Sequence, residues 1–103
     1  MHDVTAVVRK FAELAGREFP VLTVFLYGSH AGNTAREGSD IDVGVVIRGS
    51  DHDRRLAIAA RLCRLGRLVD VRIEPRCIFQ DEYEKPKAAS ILEAIIRQGR
   101  RVA

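Results

Sequence analysis

Nowhere does this 103-residue chain hold a run approaching eighteen consecutive apolar residues, so the sequence excludes a membrane-spanning helix. Its opening, Met1-His2-Asp3-Val4-Thr5, lacks the basic start and apolar stretch of a secretory signal, and a cytoplasmic location is expected. No internal repeat, low-complexity tract or linker divides it, and the length predicts one domain over 1–103. Cysteine is scarce. Cys63 and Cys77 have no metal-ligand spacing and stand among apolar neighbours, as small, reduced, buried hydrophobes rather than a disulfide or a reactive thiol.

Apolar residues make up 47% of the chain and charged residues 30%, the balance of a soluble globular domain with a modest core. The net charge of +3 is unevenly spread. Arg54, Arg55, Arg61, Arg64, Arg67, Arg72 and Arg76 crowd the second half, and Arg97, Arg100 and Arg101 close it. Such a surplus suits an anionic partner such as a nucleotide or RNA, and it equally describes solvated helix faces. Direct nucleic-acid binding is left open.

Val4, Val7, Val8, Phe11, Leu14 and Ala15 recur at helical spacing and predict an amphipathic first helix ending at Gly16. After Pro20, residues 21–27 read as a buried strand. The stretch 28–38, rich in Gly, Ser, Asn and Ala, predicts a loop or short helical turn. A second strand is predicted over 40–47. Ser50 with Asp53 resembles a capping box opening a helix through Leu56, Ala59, Ala60, Leu62 and Cys63, which Gly66 ends. Residues 68–74 alternate and predict a third strand stopped by Pro75. The charge run Asp81, Glu82, Glu84, Lys85 and Lys87 reads as solvated, and His52 as a surface group. Ala88, Ile91, Leu92, Ile95 and Ile96 predict a last helix closed by Gly99. This order gives an α/β fold, a small mixed sheet with helices packed on it. The apolar face of the last helix suits either its own sheet or a second copy of the chain.

Asp40 and Asp42 stand two apart at a strand start, so both carboxylates project from one face. Two like charges held close call for a cation. Mg2+ suits them, since it takes one or two carboxylates and completes its shell with water and substrate phosphates. An isolated Asp-x-Asp also occurs as a plain solvent-facing strand end. Asp70, between Val69 and Val71, is poorly placed to stand unpaired in an apolar strand. It is either the neighbour partner of Arg72 or a third ligand beside Asp40 and Asp42. In the second case one of two ions activates the attacking oxygen and the other steadies the triphosphate, with Asp70 as base toward the attacking hydroxyl. Gly28-Ser29, where a strand runs out, permits close backbone approach to a phosphate. Such a pair is often an ordinary turn. It gains meaning from Ser39-Asp40-x-Asp42 ten residues on, which sets Gly28, Ser29 and Ser39 as candidate nucleotide contacts beside the metal ligands.

The blocks Leu26-Tyr27-Gly28-Ser29-His30-Ala31 and Ser39-Asp40-Ile41-Asp42-Val43 resemble the signature of the DNA polymerase beta-like nucleotidyltransferase superfamily. They are most similar to its minimal nucleotidyltransferase branch, which includes MntA-like antitoxins. Val69-Asp70-Val71-Arg72-Ile73 is similar to the strand bearing that superfamily's third carboxylate, and Ile91 to Gly99 is similar to the branch's closing helix. The resemblance implies a nucleotidyltransferase fold like the polymerase beta palm, phosphate contact for Gly28 and Ser29, and two Mg2+ ions on Asp40, Asp42 and Asp70, with ATP as substrate. The family loop usually carries Arg-Gly where Gly32-Asn33 stands, and a basic residue at His30.

The resemblance further implies an antitoxin that transfers AMP to a hydroxyl of a small helical HEPN toxin and binds it as a hetero-oligomer. A binding-only module that neutralises its partner without chemistry is the alternative. The altered loop favours that alternative; three carboxylates gathered without a metal would only destabilise, which opposes it.

Overall fold

A computed structural model describes residues 4–30 and 38–103, with Ser29 given by its backbone alone. The chain runs α1 (Val4–Glu18), β1 (Val21–Tyr27), a 3-10 turn (Gly28–His30), β2 (Ile41–Ile47), a second 3-10 turn (His52–Arg54), α2 (Arg55–Val69), β3 (Ile73–Phe79), α3 (Gln80–Glu84), α4 (Ile91–Gln98) and β4 (Arg100–Arg101). One four-stranded sheet has the order β3-β2-β1-β4. β1 lies antiparallel to β2, with Tyr27 opposite Asp42, and β4 pairs antiparallel on the other edge of β1. β2 and β3 are parallel, from Ile41 opposite Ile73 to Ile47 opposite Phe79. A parallel pair needs a long crossover, and α2 supplies it. The mixed sheet with packed helices agrees with the sequence expectation.

Side chains alternate along each strand, so the sheet has two distinct faces. On one, Val24, Leu26, Val43, Val45, Ile47, Ile73, Cys77 and Phe79 bury against Val8, Phe11 and Ala15 of α1 and Ile58, Leu62 and Leu65 of α2. On the other, Phe25, Val46 and Ile78 pack with Ile95 of α4, flanked by Tyr27, Tyr83, Leu92 and Ile96. Ile95 thus takes its own sheet as partner. Cys77 lies in the first core, where burial pushes its thiol up, and Cys63 is half-buried; both are free.

Several local expectations need correction. α2 does not stop at Gly66 but continues to Val69, and β3 begins at Ile73 rather than Leu68. Gly66 is buried, and a Cβ there would stand 3.0 Å from the Ile73 side chain, so this glycine allows close helix-to-strand approach instead of ending the helix. Pro75 lies inside β3. That is tolerated because β3 is an edge strand, with one side of its backbone needing no ladder partner. The Ser50–Asp53 capping box is absent: α2 begins after the 3-10 turn, with Arg54 at its N-cap and no side-chain cap bond. Gly16 falls inside α1. α4 starts later than Ala88, where Ser90 caps it by accepting the Glu93 N–H at 3.1 Å.

The segment read as solvated includes α3. There Glu82 accepts the Phe79 N–H at 3.0 Å and a 2.6 Å bond from Arg55. His52, read as a surface group, stacks on Phe79 at 5.1 Å and meets Asp81 at 2.9 Å.

Candidate active site

The second face of the sheet carries the candidate site, at the end where β1 finishes and β2 and β3 begin. At Gly28 the chain leaves β1 with φ +70, in the left-handed region that favours glycine. A Cβ at this position would run into the Asp42 carboxylate, so the absence of a side chain lets the turn lie directly against Asp42. The Gly28 N–H donates to Gln98 Oε1 at 2.8 Å, tying the turn to the end of α4. That end is itself fixed by a packing constraint. The Phe25 ring fills the space above Gly44 and stands 2.6 Å from where a Cβ of Gly99 would be.

Asp42 sits centrally, with Tyr27 opposite on β1 and Glu74 opposite on β3. Burial pushes the Asp42 carboxyl above its ordinary range; Asp40 pushes the same way, while His30 and Arg76 oppose it. Glu74 is also raised, first by the charge of Asp40, then by burial, by Asp42 and by a hydrogen bond with Asp40. Asp40, Asp42 and Glu74 therefore form one cluster of mutually repelling carboxylates. Their oxygens are the hard donors a Mg2+ ion takes, and a divalent cation would relieve the repulsion among them.

Around this cluster, His30 Nε2 lies 3.4 Å from the Ser39 carbonyl, which brings the turn and the residue before Asp40 together. Arg76 lies two residues beyond Glu74 on the same face, opposite Gly44, and its Nε donates to the Tyr27 hydroxyl at 3.4 Å. Ser29 continues the turn in its backbone. Gly32 and Asn33, at the altered loop position, lie outside the described residues.

Asp70 does not stand inside a strand. It is the C-cap of α2, three residues before β3, and its carboxylate accepts from the Arg72 N–H at 2.9 Å, Nε at 3.0 Å and a terminal guanidinium nitrogen at 2.8 Å. The neighbour pair with Arg72, one of the two readings left open, is present. Glu74, missed in the sequence, takes the register position beside Asp42. The available signal was Glu74 two residues after Arg72 in a run containing Pro75, which an edge strand accommodates.

A separate group of His52, Asp81 and Glu82 has candidate ligand atoms within 4.8 Å of one another. It lies by the far end of β3, and Arg55 already supplies a cation there, bonded to Glu82 and 4.9 Å above the Phe79 ring.

Clustered carboxylates at one end of a mixed sheet, beside a glycine turn, suit an enzyme that handles nucleotide phosphates. The family model for a nucleotidyltransferase domain matches residues 8–97, and the chain belongs to that family. Among solved structures, a Sulfolobus solfataricus protein assigned as a nucleotidyltransferase aligns with TM-score 0.61 at 20% identity, covering 79% of this chain and 71% of its own. A toxin–antitoxin structure with AMP-PNP aligns with TM-score 0.56 at 19% identity, covering 96% of this chain and 72% of that one. These two likenesses are of fold. No curated protein sequence matches the chain.

Proposed function

We propose that this nucleotidyltransferase transfers a nucleoside monophosphate, AMP from ATP, to a hydroxyl of a partner protein, as the antitoxin of a pair with a small helical HEPN toxin. The observation carrying the chemistry is the cluster of Asp40, Asp42 and Glu74, in which Asp42 and Glu74 are raised in part by the charge of Asp40. The protein-partner half of the reading draws on the sequence resemblance and on the toxin–antitoxin fold neighbour.

In this reading Asp40 and Asp42 hold Mg2+, and Glu74 takes the third-ligand role that the sequence assigned to Asp70. Bound Mg2+ supplies charge neutralisation of the triphosphate and of the developing pyrophosphate. Gly28, whose own N–H is held by Gln98, lets the phosphates approach the turn closely, Ser29 offers its backbone N–H, and Ser39 lies beside them. The acceptor oxygen attacks the α-phosphorus, its proton passes to Glu74 or to water, and the bond to the bridging oxygen of pyrophosphate breaks. Tyr27 of β1 and Arg76 of β3 meet across β2 beside this cluster, where Arg76 offsets charge at Asp42.

Labelled ATP, Mg2+ and the neighbouring gene's product, incubated with the protein, test this directly. Label on the partner that vanishes in Asp42→Ala supports transfer. Tight partner binding without label, unchanged in Asp42→Ala, would replace the enzyme reading with the binding-only module that the Gly32-Asn33 departure favours.

A further inference from the structure

α2 turns Ile58, Leu62 and Leu65 into the core, yet its outer side is not the plain polar face of an amphipathic surface helix. Leu56 is 85% exposed, Leu68 76%, and Val71, just beyond the helix, 82%. At 100° per residue, Leu56, Ala60, Arg64, Arg67 and Leu68 fall on one side of α2, over about 18 Å of its length. α2 contains no acidic residue. Its flanking arginines are engaged, Arg55 with Glu82 and Arg61 with Glu18. Arg64 and Arg67, between the exposed leucines, have no ion-pair partner among the described residues.

We propose that this outer face of α2 docks a protein partner through an acidic amphipathic helix, whose apolar stripe covers Leu56, Leu68 and Val71 while its flanking carboxylates meet Arg64 and Arg67. Exposed leucines gain from an apolar cover, and unpaired guanidinium groups select carboxylates at the rim. A second α2 is the wrong occupant, since it brings arginine against arginine with no acid to intervene. RNA fits poorly as well: the face offers branched aliphatic tips and no aromatic ring on which a base would stack.

The placement has a functional consequence. α2 packs on the face of Val43 and Cys77, whereas Asp42 and Glu74 belong to the opposite face. At the β3 edge, however, Arg67 and Val71 line a hollow with Glu74, so a partner held on α2 comes within reach of the carboxylate cluster. The docking face stands independently of the transfer chemistry, because a nucleotidyltransferase with any other acceptor would present the same surface.

The test is titration of the isotopically labelled full chain with a synthetic helical peptide carrying a leucine stripe flanked by glutamates. A lysine-flanked counterpart and a single-stranded RNA oligonucleotide run in parallel. NMR shifts centred on Leu56, Ala60, Arg64, Leu68 and Val71 are expected with the glutamate peptide alone. Affinity should fall at least tenfold both in Leu56→Ser/Leu68→Ser and in Arg64→Glu/Arg67→Glu. Their exposure should leave the thermal midpoint close to that of the parent. Three results would overturn the proposal: shifts centred elsewhere, stronger binding of the lysine peptide or RNA, or self-association that disappears in Leu56→Ser/Leu68→Ser. Unchanged peptide affinity in the leucine pair would also overturn it, by reducing the effect to general charge attraction.

Discussion

Gln98 Oε1 accepts the backbone N–H of Gly28 at 2.8 Å, joining the last turn of α4 to the turn that leaves β1 seventy residues earlier. The link holds the glycine turn against Asp42. Replacing Gln98 with Leu keeps most of the side-chain volume and removes the acceptor, a loss of about 0.5–1.5 kcal/mol. Nucleotide affinity measured by calorimetry should weaken roughly two- to tenfold on that scale, and the Gly28 amide should exchange faster with deuterium. Gln98→Glu, which retains the acceptor oxygen, should restore the slow exchange. Unchanged exchange in Gln98→Leu would mean that the turn holds itself.

The two candidates for the third carboxylate should separate under mutation. Glu74→Gln is expected to lower transfer by roughly a hundredfold or more, as loss of a metal ligand or base does, while the fold survives because Glu74 is exposed. Asp70→Asn should leave turnover within a few-fold. It should lower stability by about 1–3 kcal/mol, since it weakens three bonds from Arg72 at the junction of α2 and β3. Turnover assays paired with denaturant unfolding check both. The reverse pattern would return the catalytic role to Asp70.

The carboxylate cluster also sets a pH dependence. Asp42 and Glu74 are both raised, so without metal the folded chain binds protons more tightly at these groups than the unfolded chain does. Their contribution to stability therefore falls as pH rises through the carboxylate range, from about pH 4 upward. Asp42→Asn should then melt higher than the parent at pH 7 in chelator, with the gap closing as pH is lowered to about 4. Mg2+ should raise the melting temperature of the parent and leave Asp42→Asn nearly unmoved. A parent that is the more stable of the two at neutral pH without metal would contradict the sign.

Gly44 offers a packing test away from the charges. A Cβ there would collide with the Phe25 ring, which also covers Gly99, so Gly44→Ala must displace Phe25 from the core it shares with Val46, Ile78 and Ile95. A loss of about 1–3 kcal/mol is expected, visible as a lowered thermal midpoint. Because Gly99 follows Gln98, the Gly28 amide should lose protection in the same variant. Retained protection would show that the Phe25 contact does not reach the site.

Much of the fold was legible because local pattern and final environment agree. β1 is a run of apolar residues between Pro20 and Gly28, and it is a strand with Val24, Phe25 and Leu26 buried. The nearness of Asp40 to Asp42 follows from their spacing of two, with Asp40 just before β2 and Asp42 inside it. Where local pattern misled, the apolar residues were not core residues. Leu68 and Val71 suggested a strand beginning at Leu68, yet both are exposed, and Gly66 looked like a helix end while it serves a close approach to Ile73.

Sequence by itself picked out the turn glycine Gly28, the aspartate pair and the family's class of chemistry, because each depends on residues close together in the chain. Only the tertiary structure decided which acid stands beside them. Asp42 and Glu74 meet through the parallel register of β2 and β3, which is fixed by burying Val43, Val45, Cys77 and Phe79 beneath α1 and α2. A shift of that register by one residue would turn every one of those side chains to the wrong face. Asp70, two residues from Arg72, pairs with that neighbour at the junction of α2 and β3.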